Sequence, residues 1–251
     1  MFKPPVVFIT GWAQRREALS PLAEQLGGAG DAVLTSVYEL LDQDPAPEFA
    51  ILRKSGLAPS RYASRLAAVL SARQAPVLVG WSMGALVSLE TAYFFPHLME
   101  CLVLLAGTSC FCAKAGYDSG VPLRNLKALR LGLQVSPKQT LSLFFQHFYL
   151  HGVDKDAGKI KTENALRLDR SRLQDGLNYL EASDLRDILP EISHPVLIVH
   201  GAKDRIVPAS ASTYLASRLP AARVFLLPDS THAMPENEAA MVAQHIRGFL
   251  P

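Results

Sequence analysis

Cysteine is scarce, with three in 251 residues. An odd and small number excludes a disulfide framework as the source of stability. Cys101 falls in an apolar, strand-like pattern and reads as a small core residue. Cys110-x-Cys112 has no second ligand pair nearby, so neither a zinc site nor any other metal or cofactor is expected. Long hydrophobic runs are also missing. The opening Met1-Phe2-Lys3-Pro4-Pro5 leads into a short apolar run, Val6 to Ile9, too short for a signal-peptide core. Nothing approaches the length of a membrane span. A cytoplasmic setting without membrane contact is expected. Strong charge of one sign is absent too. The net charge is +2, and no basic tail or nucleic-acid module is visible, so nucleic acid is not an expected partner. Internal repeats and low-complexity segments are lacking.

What is present is the composition of an ordinary globular chain, 49% hydrophobic and 19% charged, long enough to bury a substantial core. The length allows one large α/β domain or two small ones. Val6-Val7-Phe8-Ile9 is a continuous apolar run suited to a central parallel strand. Apolar residues at 18, 19, 22, 23 and 26 predict a helix over Arg15 to Leu26. A strand over Ala32 to Val37 follows, then a Pro- and polar-rich loop from Asp42 to Pro59. Ser60 is placed to cap a helix running to about Ser71. Val77-Leu78-Val79 and Cys101 to Leu105 are further buried-strand patterns with a helix between them. This alternation argues a doubly wound, mostly parallel sheet. It breaks over 113–190, where Leu123, Leu126, Leu129, Leu141, Phe144, Phe145, Phe148, Leu166, Leu173, Leu177 and Leu180 recur at helical spacing. That stretch reads as a helical lid or as a separate helical domain. Immediate resumption of the sheet pattern at Val196 favours a lid over a core made of 1–112 and 191–251. A helix over Pro208 to Leu219, a last strand over Arg223 to Leu227 and a closing helix over Glu236 to Leu250 complete the chain.

One stretch organises these elements. Gly80-Trp81-Ser82-Met83-Gly84 lies between a strand and a helix, the context in which G-x-S-x-G means a nucleophile elbow. A Gly-rich strand-to-helix turn of no special function has the same appearance. A serine hydroxyl is a weak nucleophile and needs a base, which in turn needs an orienting group. Of seven histidines, His97, His147, His151, His194, His200 and His245 read as structural or solvent-exposed. His232 follows the last strand, where the active-site residues of open α/β sheets gather. Asp204 follows the strand before it, in Gly201-Ala202-Lys203-Asp204-Arg205-Ile206-Val207-Pro208, where it also fits as a helix cap. Ser82, Asp204 and His232 thus occur in the order Ser, Asp, His, each just beyond a different strand. For an oxyanion the backbone N–H of Met83 and that of Trp12, in the loop after the first strand, are the expected donors.

With these pieces in place the chain resembles the α/β-hydrolase family over essentially its whole length. Within it, Gly11-Trp12, Gly80-Trp81-Ser82, Ser109-Cys110-Phe111 and Ser183-Asp184-Leu185-Arg186 make it most similar to the pimeloyl-[acyl-carrier protein] methyl ester esterases of biotin synthesis. The resemblance implies a serine carboxylic-ester hydrolase acting on a small-molecule or carrier-linked acyl ester. It departs from many members at Thr10-Gly11, where they have His-Gly. Trp12, Trp81, Phe144, Phe145 and Phe148 are candidate substrate-contacting residues, with lid–core packing as the alternative. Arg124, Lys127, Arg130 and Lys138 lie in a stretch, 119–153, that has no Asp or Glu. They form a candidate docking face for an acidic acyl-carrier protein, or a solvated helix face. A broad short-chain carboxylesterase, a carbon–carbon bond hydrolase or lyase of the same triad type, and a non-catalytic ligand-binding protein remain open alternatives.

Overall fold

A computed structural model of the chain describes residues 5–27, 32–42, 58–74, 76–149 and 155–250. Six strands form one sheet: β1 (Val6–Thr10), β2 (Ala32–Ser36), β3 (Val77–Trp81), β4 (Cys101–Leu105), β5 (Val196–Gly201) and β6 (Ala222–Leu227). Their order is β2-β1-β3-β4-β5-β6 and every pairing is parallel. β3, β4 and β5 are buried at every position. Parallel strands covered by helices on both faces need such continuous apolar runs. β6 is an edge strand, with β2 at the other edge, and its Val224, Phe225 and Leu226 are exposed.

The helices are α1 (Ser20–Gln25), α2 (Arg61–Ser71), α3 (Met83–Phe94), α4 (Leu123–Val135), α5 (Pro137–Tyr149), α6 (Lys155–Leu166), α7 (Arg170–Ala182), α8 (Ser210–Arg218), α9 (Met234–Asn237) and α10 (Ala239–Phe249). Ser60 caps α2 as expected, its hydroxyl accepting from Ala63 N at 3.2 Å. α3 is buried along its whole length, as expected of a helix apolar on all sides. The helix expected over Arg15 to Leu26 is instead a 3₁₀ turn, Arg16–Leu19, followed by α1. Pro21 has no N–H to continue the first turn and is suited to start a new one. The expected closing helix is likewise two pieces, α9 and α10, with Glu238 between them at φ −116°, ψ 33°. Most of the loop expected over Asp42 to Pro59, and His151, lie outside the described residues.

Helices α4 to α7 occupy the chain between β4 and β5. Among the described residues that interval holds only isolated bridge pairs, not a strand. The ends of the insertion are fastened to each other: Cys110 bridges Asp184 and Leu185 N donates to Ser109 O at 2.8 Å. The two segments Ser109-Cys110-Phe111 and Ser183 to Arg186, far apart in sequence, therefore meet at its base. No helix among the described residues is long and apolar enough to cross a membrane.

Candidate active site

The sheet order reverses between β1 and β3, and crevices form beyond the strand ends at such a point. β3 ends there at Trp81. Ser82 then turns the chain at φ 58°, ψ −118°, a left-handed conformation that costs a non-glycine residue about 1–3 kcal/mol. The turn is tight enough to exclude side chains on either flank. A Cβ on Gly84 would come within 2.4 Å of Ile9 O, and one on Gly80 within 2.6 Å of Gly84 O. Ser82 N is held by Leu105 O at 2.8 Å. Ser82 is half-buried, and Met83 opens α3, where the amide has no intrahelical acceptor and the dipole favours negative charge. The loop after β1 lies against the serine, since a Cβ on Gly11 would sit 3.2 Å from Ser82 Oγ. Trp12 is thereby brought beside the elbow.

Asp204 and His232 come together beyond β5 and β6. His232 Nδ1 donates to Asp204 Oδ2 at 2.6 Å, which leaves Nε2 as the lone-pair nitrogen of a neutral ring. Asp204 Oδ1 accepts from Ile206 N at 2.7 Å and Val207 N at 2.9 Å. Burial alone would push this carboxyl up. Attraction to the His232 ring when it is protonated, with the hydrogen bonds from His200 and His232, outweighs burial and holds the group well below the ordinary carboxylate range. Trp81 Nε1 donates to His232 O at 3.1 Å, so the residue before the serine fixes the loop that carries the histidine. Phe148 of α5 packs edge-on to the His232 ring with centroids 4.9 Å apart.

The aromatic residues are mostly packed against one another. Trp81, Phe145 and Phe148 are fully buried and Phe144 is half-buried. Trp81 and Phe148 have centroids 5.5 Å apart, and Trp12 meets Phe144 edge-on at 5.0 Å. The Trp12 indole N–H donates to Leu173 O of α7 at 2.9 Å. These rings form the wall between insertion and core, at the elbow.

The basic residues of the insertion are not all free. Arg130 pairs with Glu181 of α7, and Lys138 pairs with Glu163 of α6 at 3.1 Å. The acid-free stretch in sequence is thus partly neutralised in space by carboxylates from neighbouring helices. Arg124 and Lys127 are exposed on α4.

Two groups were not singled out by sequence. Glu236, four residues after His232, pairs with Lys161 of α6 and accepts from Tyr149 of α5 at 2.5 Å. Lys161 also reaches Gln14 Oε1 at 3.2 Å and lies 5.9 Å above the Trp81 ring. One carboxylate beside the histidine loop therefore ties two insertion helices to the core. Beside it opens a cavity of about 460 Å³ lined by Arg15, Asn164, Lys161 and Glu236, among others. The second group is His200 with Ser212. Both are wholly buried, and His200 Nε2 lies 3.2 Å from Asp204 Oδ2. A histidine ending the strand just before an aspartate was the available signal.

Residues 6–244 match the alpha/beta hydrolase family. The pimeloyl-[acyl-carrier protein] methyl ester esterase of Nitrosomonas europaea is 35% identical over 159 residues, 61% of this chain and 63% of that protein. The protein of that name from Aromatoleum aromaticum is 31% identical over 68% of this chain and 74% of its own length. The one from Neisseria meningitidis serogroup B (strain MC58) is 29% identical over 98% and 92%. Among solved structures, an esterase from Exiguobacterium antarcticum superposes with a TM-score of 0.81 at 18% identity, covering 98% of this chain and 91% of that one. A bromoperoxidase from Bacillus anthracis does so with a TM-score of 0.84 at 18% identity, covering 99% and 92%. At that identity the structures speak to the fold alone.

Proposed function

The chain belongs to the alpha/beta hydrolase family and is an ester hydrolase, and on that premise we propose that Ser82, His232 and Asp204 hydrolyse the methyl ester of a pimeloyl group carried on an acyl-carrier protein, a step supplying biotin synthesis. The observation that carries the catalytic part is the 2.6 Å bond from His232 Nδ1 to Asp204, in a loop tied by Trp81 to the strained serine turn. Support for the substrate comes from the names of the relatives.

In this reading Ser82 Oγ attacks the ester carbonyl carbon and its proton passes to His232 Nε2. Asp204 faces the imidazolium that results and keeps the ring oriented. The backbone N–H groups of Met83 and Trp12 donate to the carbonyl oxygen as it becomes an oxyanion. Collapse expels the alkoxide, which leaves as methanol with the proton from Nε2. Water then attacks the acyl-serine with Nε2 as base, releasing the free acid and restoring the hydroxyl. No cofactor enters any step. Half-buried Phe144 is the ring open to the acyl chain, with Trp12, Trp81, Phe145 and Phe148 packed behind it as its apolar backing. Arg124 and Lys127, exposed on α4, attract an acidic carrier protein, with Arg130 and Lys138 as a secondary contribution because each already has a carboxylate partner.

Ser82→Ala should abolish hydrolysis of a short p-nitrophenyl ester, and retention of wild-type turnover would remove the nucleophile. Substrate class is tested by competition between a free short ester and the carrier-linked pimeloyl methyl ester. Preference for the carrier-linked ester, with growth of a biotin auxotroph lacking this activity, supports the proposal. Equal turnover of both, without growth, points to a broad carboxylesterase.

A further inference from the structure

The proposed chemistry leaves one buried histidine without a task. His200 is the penultimate residue of β5, is wholly inaccessible, and stands four residues before Asp204. Its Nε2 is 3.0 Å from Val207 O and 3.2 Å from Asp204 Oδ2. Both are acceptors, so this nitrogen carries the proton. Its Nδ1, 2.6 Å from Ser212 Oγ, is then the lone-pair nitrogen, and the hydroxyl of Ser212 on α8 donates to it. The polar contacts run Ser212, His200, Asp204, His232. Asp204 Oδ2 is shared by two imidazoles and Oδ1 by the amides of Ile206 and Val207. A carboxylate has about four acceptor directions; here His232 and the amides of Ile206 and Val207 fill three, and the His200 N–H, bonded to Val207 O, lies against the fourth.

We propose that His200, fastened by Ser212, is a positioning residue that fixes the Asp204 oxygen used by His232. The inference rests on the reading of Ser82, His232 and Asp204 given above. The two backbone amides hold only Oδ1. Because the two oxygens turn together about the Cβ–Cγ bond, those amides already resist rotation, and His200 beside Oδ2 adds the contact that keeps the carboxylate from tilting away from His232. His200 is suited to the task because its ring is clamped at both nitrogens, by Val207 O in the loop after β5 and by Ser212 of α8. Among the described residues Asp204 is the ionisable side chain that His200 meets in these polar contacts, with His232 across the shared oxygen.

The test measures kcat, KM and the pH profile of kcat/KM for p-nitrophenyl butyrate with the full chain and its variants. His200→Phe should lower kcat about tenfold, less than the hundredfold of a full ångström of misplacement. KM should stay unchanged, and the acid limb should move to lower pH as His232 loses a fixed anion. His200→Gln, whose side-chain amide can donate where Nε2 did, should recover most of the rate. Ser212→Ala should move kcat and the acid limb in the same direction by less. A His200→Phe variant with wild-type kcat and an unmoved acid limb overturns the proposal, as does equal impairment of the Gln and Phe variants. If His200→Phe does not fold, Ser212→Ala decides: wild-type kcat and acid limb there overturn the proposal. Ser82→Ala in parallel separates the two readings. Activity without Ser82 removes the nucleophile itself, whereas an inactive Ser82→Ala beside an unaffected His200→Phe removes the role of His200 alone.

Discussion

Gly176 of α7 faces Trp12 across a gap that admits no side chain. A Cβ at 176 would lie 2.7 Å from Trp12 Cδ1 and 3.5 Å from Met83 Sδ. Trp12 is buried and its indole is already bonded to Leu173 O one turn earlier, so the ring has little room to retreat. The helix α7 thus rests on both residues whose amides are assigned to the oxyanion. Gly176→Ala is expected to displace the Trp12 loop and lower kcat by about ten- to hundredfold, since losing one oxyanion donor outright costs about 10²–10³. Gly158→Ala in α6 is the control. No atom lies within 4 Å of a Cβ there, so it should keep full activity and gain about 0.5–1 kcal/mol. Steady-state kinetics and thermal melts on both variants check the pair.

Strain at Ser82 predicts a trade between stability and function. Its φ of 58° suits glycine. Ser82→Gly should be inactive yet more stable than wild type by about 1 kcal/mol, the relieved strain less the entropy that glycine loses on folding. Ser82→Ala keeps a Cβ and should show no such gain. Chemical denaturation of the three proteins distinguishes the outcomes.

Acid stability should depend on Asp204. Its folded-state pKa is depressed, so the stabilisation is present above the unfolded value of about 3.9 and is lost as pH falls from there through the folded value. Wild-type melting temperature should fall below about pH 4, and Asp204→Asn should show a smaller fall over the same range. The same variant should lose on the order of 10⁴ in kcat, because the amide favours the wrong imidazole tautomer. Melts in acid buffers and kinetics near neutrality measure the two effects.

Glu90 behaves oppositely. It lies buried in α3 and accepts from Ser60 N at 2.6 Å, Ser60 Oγ at 2.7 Å and Tyr179 Oη at 2.8 Å, joining the elbow helix to α2 and to the insertion. Burial pushes its pKa up, against the hydrogen bonds from Ser60 and Tyr179. A raised acid contributes stability below its unfolded value, about 4.3, that is lost as pH rises through the folded value. Glu90→Gln carries no charge to bury, so its stability relative to wild type should increase as pH rises through that range. A difference independent of pH would contradict this assignment.

The sequence alone determined the sheet, the order of its elements and the elbow. Continuous apolar runs at β1, β3, β4 and β5 can be satisfied only by strands covered on both faces, and Gly80 and Gly84 mark a turn whose crowding is local. That Asp204 and His232 would meet was readable because each follows a strand, and strand ends in a parallel sheet converge on one edge. Local chemistry shifted some boundaries, as where Pro21 divides the first helix.

Tertiary structure alone decided the relations between distant segments. Glu181 and Glu163, outside the acid-free stretch, neutralise Arg130 and Lys138 because α7 and α6 fold beside α4 and α5. Trp12 proved to be a tie between the loop after β1 and α7, and Gly176 a contact made by absence of a side chain. His200 looked like the end of a strand until Asp204 and Ser212 closed around it. Hydrophobic periodicity encodes which face of an element is buried, a property of neighbouring residues. It carries no record of which polar atoms meet when faces pack, since that depends on distances between elements far apart in the chain.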